Sequence, residues 1–224
     1  MTISIDSANL PMLIHQAAFN PHQDLNSFNE SCDLAKHFSL GGFCTDLSMI
    51  PLARKRLGGE GISKLIATIA FPFGSIPLSL KKSQAEWAAS QGAEELEVVP
   101  NFFLLYQENK NLFAEELASI CDIGLPVRAI INSTSISQEV LSTAIEASID
   151  AGVIGIQSTN GFGKAITSDE IHKIKHFTKG RCSIKAVGGI KTLQQTISLI
   201  EAGADFIGTS LGYNLIKEMR EKKQ

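Results

Sequence analysis

Glu97 and Lys185 stand in the short strand-like runs 95–99 and 183–187, at positions where a packed interior would prefer aliphatic side chains. An exposed sheet edge is the ordinary place for a lone charge in a strand. A sheet that closes on itself has no edge, so opposite charges projecting into one mouth are expected to pair rather than stay isolated. Such a pair can be purely structural, or it can move protons at a bound ligand. The two residues alone leave both readings open.

A second set of residues points to an anion. Three glycine-bearing turns cluster in the last third of the chain: Ser158-Thr159-Asn160-Gly161-Phe162-Gly163, Gly188-Gly189-Ile190-Lys191-Thr192 and Gly208-Thr209-Ser210. Glycine lets the backbone approach a ligand closely, and a helix N-terminus after such a turn offers free N–H groups to a phosphate. One turn of this kind reads most simply as a tight connection. Three after consecutive strands, the last two carrying Thr or Ser hydroxyls, favour phosphate.

The elements that must hold these residues alternate. Apolar, β-branched runs at 13–18, 40–44, 65–70, 95–99, 127–131, 153–157, 183–187 and 205–208 give eight strands. Between the later ones lie amphipathic stretches at 80–90, 113–120, 138–150, 168–177 and 192–201, with Ser137, Ser168 and Thr192 placed to cap three of them. Three helices close on one phrase, Gln91-Gly92-Ala93, Ala151-Gly152-Val153 and Ala202-Gly203-Ala204, in which glycine stops the helix and the next apolar residues open a strand. The pattern predicts a single-domain α/β chain over 1–224, a (β/α)8 TIM barrel closed by a C-terminal helix, with its active site at the C-terminal ends of the strands. An open doubly wound sheet of the dinucleotide-binding kind would need Gly-x-Gly-x-x-Gly after the first strand, and that motif is absent.

Composition narrows the partners. Apolar residues make up 44% of the 224 and the formal charge is −3, with a mean hydropathy of +0.09. This is enough for a substantial core, and it gives no electrostatic case for nucleic acid or an anionic membrane. The basic stretch 217–223 interleaves Glu218 and Glu221 and reads as a solvated helix end. Cys32, Cys44, Cys121 and Cys182 are dispersed, so no metal site is expected. With no signal peptide and no apolar run near the roughly 20 residues that span a bilayer, the expected compartment is the cytoplasm.

From Leu13 to Ile216 the chain resembles the deoxyribose-phosphate aldolase family. The likeness is carried by Ile69-Ala70-Phe71-Pro72-Phe73-Gly74, by Gly92-Ala93-Glu94-Glu95-Leu96-Glu97-Val98-Val99 and by Ser158-Thr159-Asn160-Gly161-Phe162. Lys185-Ala186-Val187-Gly188-Gly189-Ile190-Lys191-Thr192 and Ala202-Gly203-Ala204-Asp205-Phe206-Ile207-Gly208-Thr209-Ser210 complete it. The resemblance implies a class I aldolase on the same barrel, without metal or cofactor, that cleaves 2-deoxyribose 5-phosphate to glyceraldehyde 3-phosphate and acetaldehyde. It implies a Schiff-base lysine on strand six, a second lysine on strand seven that holds down the first one's pKa, and a proton-transferring acid on strand four. It also implies phosphate contacts at Gly161, Gly188, Gly189, Lys191, Gly208 and Ser210, and dimers in many members.

Carried onto this sequence, the strand-seven lysine is Lys185 and the strand-four aspartate is Glu97. The Schiff-base position holds Gln157. The family's opening Asp-His-Thr is His15-Gln16-Ala17, and its strand-five Lys-Val-Ile-x-Glu is Arg128-Ala129-Ile130-Ile131-Asn132, while Cys44 matches a strand-two cysteine. A carboxamide nitrogen is delocalised into its carbonyl and forms no imine, so the covalent step is expected to be lost at this position. Lys185 paired with Glu97 keeps its proton, which argues against a relocated imine. No lysine lies between Arg128 and Gly161, and Lys164, beyond the turn, reads as a helix-start or phosphate contact.

Three functions fit. One is a sugar-phosphate enzyme of altered chemistry, with Glu97 as general acid or base, Lys185 as electrophile or relocated Schiff base, and Gln157 as an orienting group. Another is a non-catalytic barrel that binds a phosphorylated metabolite as sensor or assembly partner. A weaker third is a phosphate-binding isomerase or synthase barrel.

Overall fold

The computed structural model describes residues 9–20, 22, 24–59, 61 and 63–221. Eight parallel strands, β1 (Ile14–Ala18), β2 (Gly42–Thr45), β3 (Lys64–Ile69), β4 (Glu95–Val98), β5 (Val127–Ile130), β6 (Gly155–Gln157), β7 (Ser183–Val187) and β8 (Phe206–Thr209), pair in sequence order and close into a barrel. The seam joins β1 to β8 with His15 opposite Gly208 and Gln16 opposite Thr209. This is the (β/α)8 architecture that the alternating pattern predicts.

Ten helices are described: α1 (Leu10–Leu13), α2 (Leu25–His37), α3 (Ile50–Leu57), α4 (Leu78–Ser90), α5 (Phe103–Tyr106), α6 (Lys110–Cys121), α7 (Gln138–Asp150), α8 (Ser168–Thr178), α9 (Leu193–Ala202) and α10 (Gly212–Glu221). Their apolar stripes pack on the outer faces of the strands. Phe28, Ile50, Ala85, Phe113, Ile145, Ile171 and Leu199 are among the buried residues of that layer. None of the described helices is long and apolar enough to cross a membrane. Lys217 and Glu221, four apart on α10, are both exposed and 3.9 Å apart. Lys222 and Lys223 of the basic stretch lie outside the described residues.

Two local expectations change. The cap of α8 is Thr167, whose side chain accepts from the Glu170 N–H, and Ser168 is the first helical residue. Two adjacent hydroxyls can each cap, and the backbone places the first of them in the extended conformation a cap needs. β6 starts at Gly155 rather than 153, because the Val153 N–H still donates to Ser148 O in the turn leaving α7. Ser137 and Thr192 cap α7 and α9 as expected, and Gln195 completes a capping box with Thr192.

Inside the barrel several of the buried side chains are polar. Arg128 is fully buried near the N-terminal ends of the strands, bonded to Glu95 (Nε–Oε1 3.2 Å, Nη2–Oε1 3.1 Å) and to Ser183 Oγ (2.9 Å). Its guanidinium also lies 5.1 Å from the Phe206 ring centroid. Room for it comes from Gly155, where a Cβ would collide with Arg128 Nη1. A second buried pair lies outside the barrel wall, where Lys81 of α4 meets Glu116 of α6 at 2.7 Å. Lys81 Nζ also donates to Val99 O (3.0 Å), and Glu116 Oε1 accepts the Asn101 N–H (2.8 Å). Together they fix the chain as it leaves β4.

Candidate functional site

Lys185 and Glu97 form a buried ion pair, with side chains 2% and 1% exposed. They come from β7 and β4, which are not neighbours, so the contact crosses the barrel interior. The second carboxylate oxygen of Glu97 accepts from Cys44 Sγ on β2 at 3.0 Å. Both oxygens are thereby engaged. Burial first, and the Glu97 carboxylate second, push the Cys44 thiol well above its ordinary range, so it is held as S–H. The expected pairing of Glu97 with Lys185 is observed.

Gln157 ends β6 directly opposite Lys185 in the register. Its Nε2 donates to Thr159 O at 2.8 Å, while Oε1 is buried without a hydrogen-bond partner. His15 lies lower in the barrel, buried against the Phe206 ring at 4.8 Å, with Nδ1 unpartnered. Burial, then the charges of Lys185 and Arg128, hold His15 well below its usual range, so it is neutral.

Above this floor opens a cavity of about 420 Å³. Glu97, Lys185, Gln157 and Cys44 line it, and so do all the residues singled out for phosphate, Gly161, Gly188, Gly189, Lys191, Gly208 and Ser210. Sequence reasoning thus places every candidate at one mouth, at the C-terminal ends of the strands. Gly188 (φ 117°) and Gly189 (φ 66°) have left-handed backbones, and a Cβ would meet Thr159 Oγ1 at 2.9 Å in the first and Ala165 Cβ at 2.7 Å in the second. Only glycine fits here without displacement. Gly208 lies within β8 rather than in a turn. Lys164 is exposed, outside the cavity lining and four residues before α8.

The start of α9 has part of its donors engaged within the protein, since the Leu193 N–H donates to Glu218 (3.0 Å) and the Lys191 and Thr192 N–H groups donate to Gln195 Oε1 (2.9 and 3.2 Å). The capping box and an acid from α10 have taken those donors.

Long-range hydrogen bonds of further residues shape the mouth. Gln16 spans the seam, donating from Nε2 to Ser210 O (2.9 Å) and accepting the Gly212 N–H (3.1 Å), which fixes the turn after β8. Asn132 Oδ1 accepts the Asn160 N–H (2.7 Å), and Asn160 Nδ2 donates to Pro72 O (3.2 Å), tying the β6 turn to the ends of β5 and β3. Phe19, Phe71 and Phe162 form one wall, with centroids 5.0 and 5.8 Å apart along the series. The Phe-Pro-Phe-Gly phrase flagged Phe71, but nothing marked Phe19 as its partner.

The closed (β/α)8 barrel thus carries a buried charged pair on its floor and glycine turns after β6 and β7 at its mouth. A deoxyribose-phosphate aldolase of Microcystis aeruginosa is 31% identical over 222 residues, spanning 98% of each chain. The solved structure "QR15, an Aldolase" superposes with a TM-score of 0.91 at 30% identity, covering 96% of this chain and 97% of that one. The tetrameric deoxyribose phosphate aldolase of Aeropyrum pernix shares the fold, with a TM-score of 0.85 at 22% identity, over 97% of this chain and 93% of its own. No family model matches the sequence. The chain belongs to the deoxyribose-phosphate aldolase family.

Proposed function

We propose that the chain binds a small sugar phosphate in this mouth and does not carry out its family's imine step at β6. The observation that carries the reading is Gln157, a carboxamide ending β6 opposite Lys185 in the same cavity as the glycine turns. Its nitrogen is not nucleophilic and already donates to Thr159 O. Lys185, ion-paired with Glu97, acts as a cation that polarises a ligand oxygen. Glu97 is the general acid or base, and Gln157 orients the ligand. Gly161, Gly188, Gly189, Lys191, Gly208 and Ser210 take the phosphate, with no metal or cofactor required of them.

Comparing wild type with Gln157→Lys for cleavage of 2-deoxyribose 5-phosphate tests this reading. Cleavage is expected in the variant alone, and measurable cleavage by wild type would overturn the lost-imine assignment. Borohydride trapping with candidate aldehydes, followed by intact mass, is expected to leave Lys185 unmodified.

A second reading, a non-catalytic barrel serving as sensor or assembly partner, is favoured by the two engaged oxygens of Glu97, which leave no free base. Thermal-shift titration with deoxyribose phosphate and triose phosphates, run beside the cleavage assay, separates the two, since stabilisation without turnover selects the binding barrel. Four free cysteines fit a reducing, cytoplasmic setting. A homodimer is the expected assembly, to be measured by light scattering.

A further inference from the structure

Three phenylalanine rings stand at the mouth for which the phosphate contacts have no use. Phe19, Phe71 and Phe162 all line the cavity, although they come from the turns after β1, β3 and β6. Phe19 and Phe71 stack at 5.0 Å with 27° between their planes, and Phe162 continues the series at 5.8 Å and 42°. None of the three is buried, and Phe162 is 61% exposed. Large apolar side chains left open to water in a cavity with a polar rim mark a ligand-binding surface.

The wall is also held in place. Ala70, just before Phe71, has a left-handed backbone (φ 55°), which a residue with a Cβ seldom adopts, and its N–H donates to Gln84 Oε1 at 2.8 Å. Asn160 donates to Pro72 O at 3.2 Å, so the turns that carry Phe71 and Phe162 are joined. Phe162 directly follows Gly161, one of the phosphate candidates, and consecutive Cα atoms are about 3.8 Å apart. A ligand with its phosphate on the glycine turns therefore has the rings within its own length. Phenyl side chains give a hydroxyl no hydrogen-bond partner. A planar ring packs against them in the offset or tilted arrangements that the three already adopt among themselves.

We infer that the ligand of this cavity is a phosphate monoester carrying a planar ring, with its phosphate at the glycine turns and its ring against the wall of Phe19, Phe71 and Phe162. The inference rests on the phosphate-binding reading above and names the ligand class within it. Two kinds of molecule share that chemistry. One is a nucleoside monophosphate, whose base stacks on aromatic side chains, and the other is an aryl-substituted alkyl phosphate. The sugar of a nucleotide is locked as a ring by its bond to the base and has no free aldehyde. Such a ligand makes no demand for an imine-forming lysine, which agrees with Gln157 at the end of β6.

Two matched pairs isolate the ring: deoxyadenosine 5′-phosphate against 2-deoxyribose 5-phosphate, and 2-phenylethyl phosphate against ethyl phosphate. Calorimetric titration of the wild-type chain is expected to give a Kd at least about tenfold lower for the ring-bearing member of one pair or both, the scale of one stacking contact. A preference in the first pair alone assigns the site to a nucleotide, one in the second alone to an aryl phosphate, and one in both supports the shared chemistry. Phe162→Ala is expected to bring the preferred pair within about twofold, whereas Phe162→Tyr, which keeps the ring, retains the preference. No preference in either pair overturns the inference, as does a preference that survives Phe162→Ala. If that variant does not fold, Phe19→Leu, at the other end of the wall, takes its place in the comparison. If none of the four compounds and no inorganic phosphate binds, the phosphate reading itself falls and takes the inference with it, a result distinct from binding without preference.

Discussion

Glu97 holds a cation with one oxygen and a thiol with the other, and neutralising it strands Lys185 in the barrel. Glu97→Gln is expected to cost about 3–5 kcal/mol of stability, read from urea denaturation, because a buried ammonium would lose its counter-charge. His15 gives a pH dependence of opposite origin, since no partner stabilises its charged form. Its folded pKa lies below the ordinary value near 6.5, so between the two the unfolded chain binds a proton that the folded chain refuses. Stability is full above the unfolded value and falls as pH drops below about 6.5, by up to about 1.4 kcal/mol per unit. The urea midpoint of wild type is expected to fall more steeply between pH 7.5 and 5.5 than that of His15→Gln. A parallel decline in both proteins would count against a neutral buried His15.

At the scale of elements, Lys81 and Glu116 join α4 and α6 and clamp the backbone leaving β4. Burial pulls Lys81 below its ordinary range, and Glu116 opposes that shift. Lys81→Met alone is expected to cost about 3–5 kcal/mol, whereas the double change Lys81→Met, Glu116→Leu recovers most of it, both by urea denaturation. Nothing in the sequence marked this pair, since a lysine and a glutamate 35 positions apart on amphipathic helices read as solvated faces. By contrast Ser137 and Thr192 were legible as caps, because capping is decided within four residues of chain. Thr167 was missed for the same local reason, as its neighbour Ser168 offers the same hydroxyl. What a few adjacent residues decide can be read. What depends on two helices meeting cannot.

Across the whole barrel the two ends differ in what they expose. Arg128, Glu95 and Ser183 tie together the N-terminal ends of β5, β4 and β7, whereas Lys191 and Ser210 stand exposed at the opposite rim. Arg128→Met is expected to lower stability by about 3–5 kcal/mol through the orphaned Glu95. Lys191→Ala is expected to shift stability by under about 0.5 kcal/mol while weakening phosphate affinity severalfold, as titration of both variants would show. The closed topology was legible from eight alternating runs, and the mouth from glycines and charges at strand ends. The seam clamp of Gln16 was not, because its partners lie 194 and 196 residues away and meet it only when the barrel closes.

The missing side chain at Gly155 couples two positions on neighbouring strands. Arg128 Nη1 and Ser183 Oγ occupy the space that a Cβ there would need. A side chain added at 155 has to displace the guanidinium from its bonds to Glu95 and Ser183, so each of the two positions limits what the other tolerates.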